Sequence, residues 1–215
     1  MNLIHKQEIW MPTVQGWLLI FACAITSIGL LLNFIYPFLA VNAPIKADTL
    51  VIEGWMDGNK IQEVIKEFGR GDYEKLITIG PSLIEGHHLS QYKNFAELGA
   101  ATLIALGFDR DKLVAVPTPD VIRNRTDASA VALRNWIMNA DVKVEAINLY
   151  TFDVHSRRNW LIFKKALAPQ VKVGVIVLEP VHYNPKQWWV SSAGVKSILS
   201  ETIAYMYARF VNWRG

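Results

Sequence analysis

The first long run of hydrophobic residues lies near the start of the chain. Residues 16–40 read GWLLIFACAITSIGLLLNFIYPFLA, and no charged residue occurs between Glu8 and Lys46. About 20 apolar residues in a helix cross the hydrocarbon core of a bilayer. Trp17 and Tyr36, near the two ends of this run, are typical of the aromatic belts at membrane surfaces. The pattern therefore predicts one transmembrane helix over 16–40.

The residues that flank this run indicate whether it is cleaved as a signal peptide and how it is oriented in the membrane. A cleavable signal peptide is the competing interpretation, because residues 41–43 (VNA) resemble a small-residue cleavage site. The run is longer than the apolar part of such a leader, about 7 to 15 residues, and Pro44 opposes cleavage, so a retained anchor is favoured. Lys6 and the amino terminus face only Lys46 on the other flank. This bias predicts an inside amino terminus and an outside main domain.

Beyond the anchor, the hydrophobic pattern changes to short runs. Five β-prone runs alternate with segments whose apolar residues recur at helical spacing. Strands are predicted at 49–53, 76–79, 113–116, 144–150 and 171–178, and helices at 59–68, 95–106, from Thr126 to Ile137, from Arg157 to Lys165 and at 191–213. Short links between alternating strands and helices favour a mostly parallel sheet covered on both faces. We expect a flank over 1–15, the anchor over 16–40, a linker over 41–47 and a Rossmann-like α/β domain over 48–215.

The last predicted helix carries an apolar row made of Leu199, Ile203, Tyr207 and Phe210. Helices of globular domains normally bury their apolar side, so we expect this row to pack in the core. The competing interpretation is that the row rests on the membrane surface.

Composition and charge narrow the class of protein. The 215 residues are 52% hydrophobic and 19% charged, which suits one sizeable core rather than a disordered chain. The formal net charge of +3 is small and its basic residues are scattered, so we expect no nucleic-acid partner. The single cysteine, Cys23, lies in the membrane run, which excludes a disulfide framework within the chain and a cysteine-based metal site.

Several common site signatures are absent from the sequence. His87 and His88 are adjacent and lack nearby residues at zinc-like spacing, so no metal site is expected. The segment EGWMDG after the first strand lacks the glycine pattern of a dinucleotide fingerprint. The chain also has no G-x-S-x-G elbow and no phosphate-binding P-loop motif. These absences argue against a nicotinamide site and against the usual hydrolase and NTPase machinery.

Polar residues and glycines follow the predicted strands where the strands end. Glu53 and Gly54 come at the end of the first strand, Gly80 after the second, and Thr151 after the fourth. Parallel strands bring their carboxyl ends to one edge of a sheet, where ligands bind. We therefore expect these residues, together with His155, to line one crevice.

His155 stands three residues before Arg158, at the start of a predicted helix. Imidazole transfers protons near neutral pH, and a guanidinium binds phosphate or carboxylate with a fork of donors. Thr126 is predicted to cap the third helix and to aim N–H donors at a ligand, with Arg125 adding positive charge. The pattern predicts an anion site. The competing interpretation is a surface loop whose arginines pair with Asp153 or with solvent.

Four segments of the chain together resemble a known family. TLVIEG, KLITIGP, VIRNRTDASAVAL and INLYTFDVHSRRNWLIFKKAL are similar to segments of the bacterial SanA/ElyC/YdcF-like family of α/β domains. The resemblance covers about residues 48–209. The family pattern has a glycine after each of the first two strands, a threonine opening the third helix, and a histidine three residues before an arginine. These fall on Gly54, Gly80, Thr126, His155 and Arg158.

The resemblance implies a place in the bacterial cell envelope. Membrane-anchored members of the family are implicated in peptidoglycan and lipid-carrier metabolism, and a soluble member is reported to bind S-adenosylmethionine. Our leading hypothesis is an inner-membrane protein that binds a phosphorylated or nucleotide-like ligand and hydrolyses or transfers it. His155 and Glu53 would act as proton donor or acceptor, and the ligand-binding residues would be Gly54, Gly80, Arg125, Thr126, Thr151 and Arg158. The competing hypothesis is a non-enzymatic binding or scaffold module, with S-adenosylmethionine as one ligand.

Overall fold

The computed structural model describes residues 10–56, 58–83, 91–140 and 142–211. The first element, α1, covers Val14–Leu39, and the Thr13 hydroxyl caps it by accepting a hydrogen bond from the Gly16 N–H. Its most apolar 18-residue window has a mean hydropathy of 2.4, and none of that window is buried in the protein. α1 is therefore long and apolar enough to span a bilayer, as the sequence predicts.

A five-stranded, fully parallel sheet forms the centre of the domain. Its strands are β1 (Thr49–Glu53), β2 (Lys75–Gly80), β3 (Leu113–Pro117), β4 (Ala146–Phe152) and β5 (Lys172–Leu178). The strand order is β3-β2-β1-β4-β5, so the chain first builds outward from β1 and then returns to its other side. Ile52 of β1 pairs with Thr78 of β2 and with Tyr150 of β4. The order reverses between β1 and β4, and such a switch point opens a crevice at the carboxyl edge.

Helices cover both faces of this sheet, which confirms the predicted Rossmann-like α/β fold. They are α2 (Gly58–Arg70), α3 (Phe95–Ala105), α4 (Arg125–Asn139), α5 (Ser156–Leu167) and α6 (Ser192–Met206), with short 3₁₀ turns at Arg110–Lys112, Asp153–His155 and Pro185–Val190 and a π turn at Tyr207–Val211. Alternate residues of the central strands point to opposite faces. Val51 packs in one apolar layer with Leu133 of α4 and Phe163 of α5, whereas Leu50 packs with helices α2 and α3.

Helix α6 packs differently from the prediction. The apolar row of Leu199, Ile203, Tyr207 and Phe210 is at least 49% exposed at every position, so the expectation that this row lies in the core is wrong. The buried side of α6 instead carries Gly194, Ile198 and Glu201. At Gly194 a Cβ would lie 2.4 Å from the Trp188 carbonyl oxygen, so this glycine allows the close approach of α6 to the turn that carries Trp188.

The linker over 41–47 is fixed to the sheet. Ala43 and Val175 of β5 exchange two backbone hydrogen bonds of 2.8 and 3.0 Å in an antiparallel bridge. The Asn148 side chain donates to the Ile45 carbonyl at 2.8 Å and accepts from the Ile45 N–H at 3.0 Å. Because the linker passes β5 from its carboxyl end toward its amino end, α1 meets the domain at the carboxyl edge of the sheet.

The end of α1 is part of the domain core. Leu39 is 1% exposed and packs with Val154, Trp188 and Ile198, while Leu32 lies at the margin of the same cluster. The Ser156 hydroxyl donates to the Leu39 carbonyl at 3.1 Å. Helix α1 therefore touches the turn between β4 and α5 directly.

Candidate functional site

A crevice of about 770 Å³ lies at the carboxyl edge of the sheet, between the ends of β1 and β4 and the starts of α4 and α5. The helix α6 forms its remaining wall. Five of the predicted site residues line it, namely Glu53, Arg125, Thr126, His155 and Arg158. The strand ends therefore converge as the parallel topology requires.

A tight turn holds His155 beside Arg158. β4 ends at Phe152, and Asp153 adopts a left-handed backbone conformation with φ of 52°, which few non-glycine residues do. The 3₁₀ turn that starts at Asp153 leads straight into α5. Side chains three residues apart on a helical turn lie on the same side. As a result, His155 Nδ1 and Arg158 Nη2 are 2.9 Å apart.

Glu201 of α6 completes this cluster, although the sequence did not predict it. Its Oε1 lies 2.9 Å from His155 Nδ1, and its Oε2 accepts a 2.9 Å hydrogen bond from Arg158 Nε. Glu201 is 7% exposed. It is the only acidic residue between positions 192 and 211. Acidic residues are rarely buried without a partner. The acidic residue on an apolar helix, one turn after Ile198, was therefore the sequence signal that could have identified Glu201.

His155 Nδ1 lies close to both Arg158 and Glu201, and whether this nitrogen carries a proton determines which of the two it can hydrogen-bond. A guanidinium only donates, so Nδ1 cannot accept from Arg158 while it donates to Glu201. Burial lowers the pKa of His155, but nearby acidic groups, chiefly Glu201 through its hydrogen bond and charge, outweigh burial and raise the pKa above its usual value. Nδ1–H therefore donates to Glu201, and Nε2 is the ring nitrogen left for a ligand.

The pKa values of the two carboxyl groups in the site are shifted in opposite directions. Burial raises the pKa of Glu201, but hydrogen bonds from His155 and Arg158 outweigh it, so the pKa lies below the usual value. Burial raises the pKa of Glu53, and the charges of His155 and Arg158 do not cancel that rise. Glu53 Oε2 is buried and has no hydrogen-bond partner among the described residues. Glu201 thus stays ionised, whereas Glu53 tends toward the neutral acid.

Thr126 does not cap its helix, so that prediction is wrong. α4 begins at Arg125, and the capping position falls on Asn124, whose left-handed backbone leaves its side chain without a capping hydrogen bond. Thr126 lies in the first turn, where its Oγ1 accepts a 2.9 Å hydrogen bond from Arg158 Nη1. The hydroxyl therefore positions Arg158, and the Asn124 side chain makes no capping hydrogen bond to the start of α4.

Gly54, Gly80 and Thr151 lie behind the crevice wall rather than on it. A Cβ on Gly54 would lie 2.0 Å from the Phe95 carbonyl oxygen, and one on Gly80 would lie 2.6 Å from Phe95 Cβ. Both glycines therefore let the start of α3 approach the strand ends. The buried Thr151 hydroxyl accepts a 2.9 Å hydrogen bond from Asn159, which does line the crevice.

The arginines do not pair with Asp153 in the contacts that the structure describes. The Asp153 carboxylate accepts a hydrogen bond from the Tyr183 hydroxyl. Arg157 donates to the Phe38 carbonyl of α1 and stacks its guanidinium 4.0 Å above the Phe38 ring. Arg157 thus binds α1 and Arg158 faces the crevice, so the two adjacent arginines have different roles.

The described ranges hold no group of three residues suited to a metal ion. His87 and His88, for which the sequence predicts no metal site, lie outside the residues that the structure describes.

The raised pKa of His155 predicts a pH-dependent contribution to stability. A raised folded-state pKa contributes stability fully below the unfolded value of about 6.5, and this contribution is lost as pH rises through the folded pKa. We expect the free energy of unfolding to fall more steeply above pH 6.5 in the parent protein than in His155→Gln. Urea titrations in detergent at a series of pH values measure this. Parallel pH profiles would contradict the pairing with Glu201.

No known protein-family model matches this chain, and no curated protein matches it.

Proposed function

We propose that this chain is a membrane-anchored protein that binds a phosphorylated or nucleotide-like ligand in the crevice and hydrolyses or transfers it. The observation that carries the proposal is the partly buried cluster of His155, Arg158 and Glu201, with Glu53 in the same crevice. Titratable groups with perturbed pKa values that converge in a cleft are typical of catalytic sites.

The charges at the crevice support an anionic ligand. Arg125 is exposed at the first residue of α4, and the N–H groups at this helix start, which the Asn124 side chain does not cap, favour negative charge. A guanidinium has five N–H donors, and the contacts of Arg158 with Glu201 and Thr126 leave some of them for a ligand. One phosphate group would be held between α4 and α5 by these donors.

The opposite pKa shifts of Glu53 and Glu201, together with the raised pKa of His155, support acid–base chemistry. In hydrolysis, a water oxygen would attack phosphorus while the bond from phosphorus to the leaving oxygen breaks. His155 Nε2–H would give its proton to the leaving oxygen, and the Glu53 carboxylate would take a proton from the water. A carboxyl group whose pKa is raised toward neutrality is a stronger base when it does ionise. Glu201 would hold the imidazole in place throughout.

Turnover by the full chain tests this proposal. The protein in lipid nanodiscs is incubated with a polyprenyl phosphate, a nucleoside diphosphate or S-adenosylmethionine, and ³¹P NMR follows the phosphorylated probes. We expect one phosphorylated probe to be consumed by the parent protein and to stay intact with His155→Gln. If neither phosphorylated probe binds in thermal-shift measurements, the proposal fails.

Arg125 offers a sharper test of the anion site. We expect Arg125→Ala to raise the Kd of the bound phosphorylated probe about three- to tenfold, because one charge-assisted hydrogen bond from an exposed group is lost. The matched control is Arg110→Ala, which removes the same exposed charge at the amino edge of β3. Isothermal titration measures both. Equal effects of the two substitutions would point to general charge attraction instead.

The second candidate is a binding or scaffold module without turnover. It is favoured by the mutual pairing of Arg158 and Glu201, which already neutralises much of the cluster. S-Adenosylmethionine is a candidate ligand through the family resemblance. Recovery of a bound probe chemically unchanged after long incubation would favour this function over the first.

The proposed location is the bacterial inner membrane, with the domain on the extracytoplasmic side and a role in the cell envelope. The charge bias around the anchor and the resemblance support it. A reporter fused after Gly215 tests the side, since activity of a cytoplasmic reporter alone would reverse it.

A further inference from the structure

The length of α1 leaves little distance between the domain and the bilayer. α1 has 26 residues, and its part from Leu32 onward belongs to the cluster that packs on the domain. The part before Leu32 is only about 27 Å long at 1.5 Å per residue, whereas the hydrocarbon core is about 30 Å thick. The domain residues that touch Leu32 must therefore lie at the level of the bilayer surface.

Trp188 is the domain residue that marks this level. Its indole Nε1 donates a 3.0 Å hydrogen bond to the Leu32 carbonyl, and its ring is 7% exposed. Trp189 packs against it edge to face, with ring centroids 5.9 Å apart. Tryptophan is enriched at membrane surfaces, because its ring is apolar and its N–H is polar.

The loop around this tryptophan pair exposes apolar side chains. Val190 is 72% exposed, Val181 is 61% exposed, and Trp189 is 38% exposed. We name these three residues the β5–α6 loop surface. Lys186, in the same 3₁₀ turn, is also exposed and carries the charge that anionic lipid headgroups attract.

We propose that the β5–α6 loop surface is a second membrane contact, seated on the same bilayer that α1 spans. The bilayer is the occupant because α1 continues from Leu32 directly into it, so these side chains cannot be far from lipid. Two contacts, one spanning and one interfacial, restrict rotation of the domain about its anchor. They hold the carboxyl edge of the sheet toward the lipid headgroups. This contact is independent of any chemistry in the crevice.

Lipid quenching in the full chain tests this contact. Cys23 is replaced by alanine, and Val190→Cys carries an environment-sensitive fluorophore in nanodiscs that hold one protein each. We expect nitroxide-labelled lipids to quench this probe about twofold or more, because interfacial groups sit about 5 to 10 Å into the headgroup boundary. Val181→Cys is a second position, in case either exposed valine perturbs the loop.

The matched control is Lys172→Cys, at the exposed amino end of β5. β5 has seven residues, which places this end about 20 Å from the carboxyl edge at 3.3 Å per residue. We expect no quenching there. Equal quenching at Val190 and Lys172 would overturn the proposal. A probe at Val190 that is shielded from water yet not quenched by lipid would also overturn it, since a protein would then cover the surface.

Discussion

Gly54→Ala is expected to destabilise the protein by about 3 kcal/mol, at the upper end of the usual cost of overpacking. The added Cβ would lie 2.0 Å from the Phe95 carbonyl oxygen and 3.1 Å from Ala96 Cα. These atoms are backbone, so no side-chain rotation relieves the clash. The Gly54 N–H also donates to the Ile79 carbonyl at 2.8 Å, which keeps the strand end from moving away. Urea unfolding in detergent, followed by circular dichroism, measures the loss.

Gly69→Ala is the matched control within the same domain. A Cβ at Gly69, in α2, meets nothing within 4 Å. Alanine is the better helix former, so this substitution should raise the free energy of unfolding by about 0.5 to 1 kcal/mol. Opposite signs for the two glycines are therefore expected. If Gly54→Ala were also neutral or stabilising, the close approach of α3 to the end of β1 would be refuted.

Arg158→Ala is expected to cost about 3 to 5 kcal/mol, the range found when one partner of a buried ion pair is removed. Glu201 would keep His155 but lose its 2.9 Å hydrogen bond from Arg158 Nε. Thr126 would lose its donor as well. The side chain of Arg158 is only 17% exposed, so water would compensate poorly. The same urea titration measures this loss.

A double-mutant cycle separates the ion pair from simple loss of packing. Adding Glu201→Gln to Arg158→Ala removes the charge left without its arginine, so the double variant should cost less than the sum of the two single variants. Arg123→Ala, an exposed arginine of the loop before α4, should change stability by less than about 0.5 kcal/mol. Strict additivity of the two cluster substitutions would mean that Arg158 and Glu201 do not interact.

The sheet and most of the crevice could be predicted because their signals are local. Each strand is a short apolar run, and parallel strands must bring Glu53 and the residues after β4 to one edge. The spacing of His155 and Arg158 likewise fixes their proximity once a helical turn is assumed. These residues required no knowledge of how distant elements pack.

The missed features depend on packing between distant elements. The row beginning at Leu199 and the side carrying Ile198 and Glu201 differ by a rotation of α6, and contacts with other elements, such as Gly194 with Trp188 and Glu201 with Arg158, decide between them. The start of α4 depends in the same way on a single left-handed residue, Asn124. Local sequence patterns do not encode such choices.

The buried end of α1 means that this helix and the domain are not interchangeable modules. Leu39 is as enclosed as the residues of the sheet, and Ser156 and Arg157 bind carbonyl groups of its last turn. Replacing α1 with another apolar helix of equal length would keep the hydropathy but lose these contacts. The side of the last two turns of α1 that carries Leu39 should therefore tolerate substitution as poorly as a domain core, whereas the exposed earlier turns should accept most apolar residues.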